Sequence, residues 1–252
     1  MKYIYEVETQ EEFLKYQKIV SEVKSKIDEY ILYLKDNFNV TDLPRGIVWA
    51  NYEIATKLIS DIPIPAYTND YRVVFTPDID TWKKIYLKQL YEIHDDTETT
   101  NKIKDYYINH LSENHVLQIL GHELAHHSEY FLEDFNSDAS NGIWFEEGMV
   151  EYISRKYFLT EEEFELETYF NQQLVDLLND KYGNHSLEMF GASTYQNDYA
   201  SIFFEYWRSF LTVKKIIEEH NNDIFSVFES YHEWNRANND TTLLEWFNIT
   251  EE

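Results

Sequence analysis

The chain has 252 residues, with 47 acidic and 21 basic side chains, a formal net charge of −26 and no cysteine. That length can bury a substantial core, and that charge opposes any general affinity for nucleic acid or anionic membranes. Without thiols, disulfides, Cys-ligated zinc and cysteine catalysis are excluded, which leaves histidines and carboxylates as the available metal ligands.

The acidic surplus keeps an aromatic-rich chain in solution, and it would also attract a basic peptide. The first residues, Met1 to Glu8, run straight into charged sequence without the pattern of a secretory signal, and no apolar run approaches the length of a membrane span. A soluble, cytoplasmic protein is expected. Glycine and proline are few and no flexible linker is evident, so residues 1–252 are expected to form a single domain. Its N-terminal lobe would cover 1–135 and its helical C-terminal lobe 136–252. Nothing in the sequence bears on oligomeric state.

Thr9 followed by Glu12 is a capping box, and Phe13, Tyr16, Val20, Val23, Ile27, Ile31 and Leu34 then recur at helical spacing. A helix to about Asn37 is expected. Between Leu43 and Asp80 prolines and short β-branched runs imply strands and turns, at Gly46 to Ala50 and at Tyr71 to Thr76, with a short helix near Glu53 to Ser60. The second of these strands is the candidate sheet edge against which a substrate backbone could add, with an interior place as the alternative.

Helical patterns resume at Ile79 to Ile93 and Thr100 to His110, and Ser112 then caps a further helix. Thr160 with Glu163 opens another, through about Asn179. Asn197 to Glu219, Ile224 to Trp234 and Thr242 to Phe247 complete an α+β, predominantly helical fold with a small N-terminal sheet.

The chemistry concentrates in Gly121-His122-Glu123-Leu124-Ala125-His126 and in Trp144-Phe145-Glu146-Glu147-Gly148-Met149-Val150-Glu151, with twenty residues between His126 and Glu147. His122 and His126 are four positions apart and share one helix face, so both imidazoles can reach one metal ion. Glu123 sits beside that face, where it can act on a water at the metal without being a ligand. Glu147 is the natural third ligand, with Glu146 the neighbouring alternative and Asp134 or Asp138 the aspartate alternatives.

Apolar Val116, Leu117, Ile119, Leu120, Leu124 and Ala125 surround the motif, which places three ionisable groups in a largely buried helix. No Lys or Arg occurs between Lys104 and Arg155, so a divalent cation is the simplest partner for them.

These residues resemble the active-site helix pair of a zincin metallopeptidase of the gluzincin type, in which His-Glu-x-x-His is completed by a Glu from a following helix. Thermolysin-like, M1 aminopeptidase-like and bacterial collagenase-like enzymes share the scheme, and the likeness covers roughly residues 112–156. Glu147 before Gly148 matches the aminopeptidase-like pattern, and Glu151 matches an acid that follows the ligand by four positions in the thermolysin-like one. Metzincins fit poorly, because Glu129 and Leu132 stand where Gly and His are needed.

The resemblance implies a zincin-like fold, one Zn²⁺ per chain on His122, His126 and Glu147, and peptide hydrolysis with Glu123 as general base. It also implies that Glu151 orients a zinc-binding histidine, His122 by position. An oxyanion-stabilising tyrosine beyond the third ligand is expected as well. Tyr199, opening Tyr199-Ala200-Ser201-Ile202-Phe203-Phe204, is the candidate, with Tyr195 and His185 behind it. The expected partner is a peptide or protein substrate, with basic peptides favoured by charge. The rival readings are a catalytically degenerate zinc-binding regulatory or interaction protein, and a zinc hydrolase of non-peptide amides.

Overall fold

The structure, a computed structural model, describes residues 1–60, 63–93, 97–132, 142–191, 194–237 and 241–251. It is mainly helical with one four-stranded mixed sheet, the α+β class expected, and among the described residues all strands precede residue 76. No helix among them is long and apolar enough to cross a membrane.

The chain forms two compact units, one of residues 1–129 with 153–164 and the other of 130–152 with 165–252. The division therefore differs from a single boundary at 135/136. The chain returns to the first unit for twelve residues before completing the second.

In the first unit, β1 (Lys2–Glu6) leads into α1 (Gln10–Asn37). The Thr9 hydroxyl accepts from Glu12 N–H at 3.1 Å while the Glu12 carboxylate accepts from Thr9 N–H, so the capping box forms as read. The buried stripe is Tyr16, Val20, Val23, Ile27, Tyr30 and Leu34, each of which contributes roughly 1.5–3 kcal/mol by leaving water. Tyr30 joins that stripe in place of the expected Ile31.

Next come β2 (Gly46–Ala50), α2 (Tyr52–Ile54), which runs on as a π-helical turn over Ala55–Ile59, β3 (Ala66–Asn69) and β4 (Arg72–Phe75). The sheet order is β1-β2-β4-β3, parallel except for the β3–β4 hairpin, where Asn69 Oδ1 accepts from Tyr71 and Arg72 N–H to close the turn. The strand expected at Tyr71 to Thr76 is therefore not the candidate edge but interior, because β2 pairs on one side of it and β3 on the other. The edges are β1 and β3, neither of which was anticipated from the sequence.

One sheet face carries Tyr3, Tyr5, Trp49 and Phe75, and Tyr5 packs edge-on against Phe13 of α1. On the other face Val48, Ala50 and Val74 close over Ala55, with Ile54, Ile59 and Tyr67 at their margin. α3 (Ile79–Gln89), a 3₁₀ turn (Leu90–Glu92), α4 (Glu98–Asn109) and α5 (Glu113–Ala125) follow, and α5 packs against β3 and β4.

α6 (Ile143–Phe158) and α7 (Glu161–Tyr182) each contribute to both units. The second unit continues through 3₁₀ turns at Leu187–Met189 and Thr194–Gln196 to α8 (Tyr199–Glu219), α9 (Ile224–Ala237) and α10 (Leu243–Trp246). Its core is aromatic, with Phe145 stacked on Tyr231 and on Phe247.

Glu163 ties two helix starts together. It closes its own capping box, accepting from Thr160 N–H at 2.9 Å, and it also accepts from the Ser112 hydroxyl at 2.7 Å and from Asn114 Nδ2 at 3.1 Å at the start of α5. Burial alone would raise its pKa, but these hydrogen bonds and the nearby His115 outweigh burial and lower it. A carboxyl lowered on folding stabilises the protein above the ordinary glutamate pKa of about 4.3, and that stability is lost as pH falls through the lower folded value. Thermal melts should therefore show Glu163→Gln less stable than the parent at pH 6, with the gap closing towards pH 3. A gap that stays constant with pH would remove the carboxylate's charge from this account.

Candidate metal centre

α5 carries the first two candidate ligands. Ser112 caps it with His115, whose Nδ1 accepts from Ser112 N–H at 3.1 Å, and the Tyr30 hydroxyl donates to the Gly121 carbonyl at 3.1 Å. Gly121 is a point of close approach on α5. A Cβ there would lie 2.6 Å from the Phe158 ring and 3.1 Å from that of Tyr30, so glycine at this position is a packing requirement one residue before the first histidine.

α5 formally ends at Ala125, yet His126 keeps helical backbone angles as its C-cap, which preserves the four-residue spacing. The result is a pair of facing imidazoles. His122 Nε2 and His126 Nε2 are 3.1 Å apart. Donor atoms bound to a common tetrahedral ion at about 2.0–2.1 Å stand roughly 3.3 Å apart, so this separation suits one shared cation.

Glu147 comes from α6, which opens at Gly142 with φ +107°, a conformation that side-chain-bearing residues rarely adopt. Its carboxylate completes the group: one ligand atom from each of His122, His126 and Glu147 lies within 4.8 Å of the others. Both His122 and Glu147 are buried, and His126 is partly so. The donor set is two imidazole nitrogens and one carboxylate oxygen, which could hold a metal ion. Glu146, the neighbouring alternative, is outside the cluster and half-buried. Asp134 and Asp138 lie outside the described residues.

Compared with models of protein families, with curated proteins and with solved structures, the chain matches none.

Glu123 is buried beside His122, and its charge reaches β3. Burial raises the Tyr67 phenol above its ordinary pKa, Arg72 and the Ser60 hydroxyl oppose that shift, and the Glu123 carboxylate adds to it. His127, just past the motif, bonds through Nε2 to the Thr68 hydroxyl of β3 at 2.8 Å. Burial pulls its pKa down to about 4, helped by His126 and opposed by Asp70 and Asp42. It holds the end of α5 to the edge strand.

Tyr195 is hydrogen-bonded to Glu147. Its hydroxyl donates to Glu147 Oε1 at 3.1 Å and must therefore accept from the Tyr206 hydroxyl, 2.8 Å away, with Phe190 packed against both rings. The sequence offered Tyr195 only as a second choice for oxyanion stabilisation, and this hydroxyl relay was not legible there. Tyr199 opens α8 directly after its N-cap, Asp198, and is half-buried. Glu151 lies one helical turn beyond Glu147 on α6, also half-buried.

His185 belongs to a different network. Its Nε2 meets Glu205 Oε1 at 2.9 Å, and Arg208 approaches the same carboxylate at 3.3 Å. Burial raises the pKa of Glu205, while Arg208 and His185 oppose that rise.

Gly148 explains itself in the same way as Gly121. A Cβ there would fall 2.4 Å from the Ser209 carbonyl oxygen and 2.5 Å from Val213, so α6 meets α8 at a distance only glycine permits. Gly148→Ala is expected to cost about 1–3 kcal/mol as the helices separate. It should also weaken any metal binding at the cluster, because the candidate ligand Glu147 is the adjacent residue. Equilibrium unfolding and zinc titration test both, and unchanged values would show that α8 gives way without moving Glu147.

Proposed function

We propose that this protein is a zinc-dependent metallopeptidase with a zincin-like, gluzincin-type active site. The observation that carries the proposal is the buried His122-His126-Glu147 group with an acid, Glu123, one residue from the first histidine. A purely structural zinc site is closed by four protein ligands and needs no such base.

His122, His126 and Glu147 would hold one Zn²⁺, which when bound lowers the pKa of a water at its open position and polarises a carbonyl. Glu123 takes the proton from the attacking water and passes it to the leaving amine. Tyr195, through its hydrogen bond to Oε1, fixes the orientation of the Glu147 carboxylate. Glu151 is assigned to orienting His122, and Tyr199 to the developing oxyanion.

The substrate backbone would add to β3, the edge strand that packs on α5 and is held to it by His127. The acidic surface, with a net charge of −26, favours basic peptides.

The test is hydrolysis of a mixed peptide library by zinc-loaded protein, by protein stripped with a chelator, and by stripped protein to which zinc is returned. Cleavage should vanish on stripping and return with zinc. A zinc-loaded protein that cleaves nothing in the library refutes the peptidase reading.

A further inference from the structure

A concavity lies on the sheet, and none of its lining residues belongs to the candidate metal centre. Its volume is about 390 Å³, within the range of small-molecule sites. Three cationic side chains gather at one end of it. Lys2 of β1 is in register with Gly46 of β2, which is in register with Arg72 of β4, and Arg45 precedes Gly46.

The acids of this chain outnumber its bases by more than two to one, yet none of these three cations is in an ion pair among the described residues. Two of the chain's five arginines are here. The Arg45 guanidinium lies 5.3 Å from the centre of the Tyr71 ring, which holds it at the rim.

The floor is apolar. Ile4 and Val48 are paired in register two residues along from the cationic row, and Ile59 closes the side, while Ile4 is 44% exposed. Glu6, on the same face of β1 and four residues from Lys2, lines the opposite end. At roughly 3.3 Å per residue the two ends are about 13 Å apart. The slot thus has a cationic end, an aliphatic middle and an acidic end.

We propose that this slot binds an elongated apolar molecule with a carboxylate at one end and an ammonium at the other. Arg45, Arg72 and Lys2 take the carboxylate, for which paired guanidinium forks are the best-suited side chains. Ile4, Val48 and Ile59 cover the chain, and Glu6 takes the ammonium. The proposal does not depend on the metal centre or on peptidase activity.

Calorimetric titration of the zinc-loaded protein with octanoate, octanamide and 8-aminooctanoate tests it, since none of the three has a peptide bond to cut. Octanoate should bind saturably, octanamide at least about tenfold more weakly, and 8-aminooctanoate more tightly than octanoate. The double variant R45Q/R72Q, whose side chains are exposed and whose folding is checked by its melt, should lose both acids by about tenfold or more. Glu6→Gln should abolish the advantage of 8-aminooctanoate and leave octanoate unchanged.

Equal binding of octanamide, failure of both acids to saturate at millimolar concentration, or full affinity in R45Q/R72Q would each overturn the assignment. The last outcome would place the carboxylate elsewhere, at the metal included. An advantage of 8-aminooctanoate that survives Glu6→Gln overturns the two-ended slot.

Discussion

Glu147→Ala is expected to empty the protein of zinc while leaving the chain folded. The variant keeps two imidazoles on one helix, with Nε2 atoms 3.1 Å apart, but loses the carboxylate that completes the group. Loss of a residue that merely orients a ligand costs about 10–100-fold in metal affinity, so loss of the ligand itself should exceed 100-fold.

The fold should survive because Glu147 is a buried acid, partnered by the Tyr195 hydroxyl and, on the proposed reading, by the cation, so the metal-free variant has one fewer desolvated charge. The two effects separate in one measurement. Zinc at a hundred times its dissociation constant stabilises the parent by about 2.7 kcal/mol, and at about 2–4 °C per kcal/mol for a chain near this size that is a rise of roughly 5–10 °C in Tm. The variant should melt at the same temperature with and without zinc. Stoichiometric zinc in Glu147→Ala would remove this residue from the ligand set.

The histidine half of that prediction was within reach of the sequence because its ingredients are local. A four-residue spacing on a helix fixes which side chains share a face, and the apolar residues around His122 and His126 fix that the face is buried. The capping boxes at Thr9 and Thr160 and the strand at Gly46–Ala50 are local in the same sense, and all three form as read.

What was missed is non-local or short. β1 and β3 are short, and β1, Lys-Tyr-Ile-Tyr-Glu, puts Ile4 between its two tyrosines, so it shows no apolar–polar alternation. Their absence from the reading left the position of β4 in the sheet undecided, since an edge is defined only by what does or does not pair beside it. A retrospective signal did exist for β3. Asn69-Asp70 between Pro65 and the Arg72–Phe75 run is a hairpin turn sequence, and Asn69 makes the side-chain bonds that such turns use.

Tyr195 was hidden for another reason. With 21 tyrosines in the chain, no pattern marks the one whose hydroxyl reaches Glu147 across 48 residues of sequence. Gly148 was read through a family pattern, and its physical basis is the Ser209 carbonyl that leaves no room for a Cβ.

Glu123→Gln is the sharper test of chemistry. The substitution preserves size and hydrogen-bonding reach, and Glu123 is not among the three clustered ligands, so zinc content and the zinc-dependent rise in Tm should match those of the parent. An amide cannot take up the proton of the attacking water. Loss of a positioned general base costs about 10²–10⁴-fold, and the loss should fall on kcat rather than KM, because in the proposed mechanism Glu123 acts in the transition state and not in holding the peptide. The pH profile should change with it: the acidic limb of kcat/KM in the parent reports the base, and whatever rate remains in the variant should lack that limb. Zinc retained with turnover lost separates Glu123 from Glu147, whose removal takes both. Equal cleavage by Glu123→Gln and parent would mean that the proton goes to some other group, and the buried acid beside His122 would then need a different explanation.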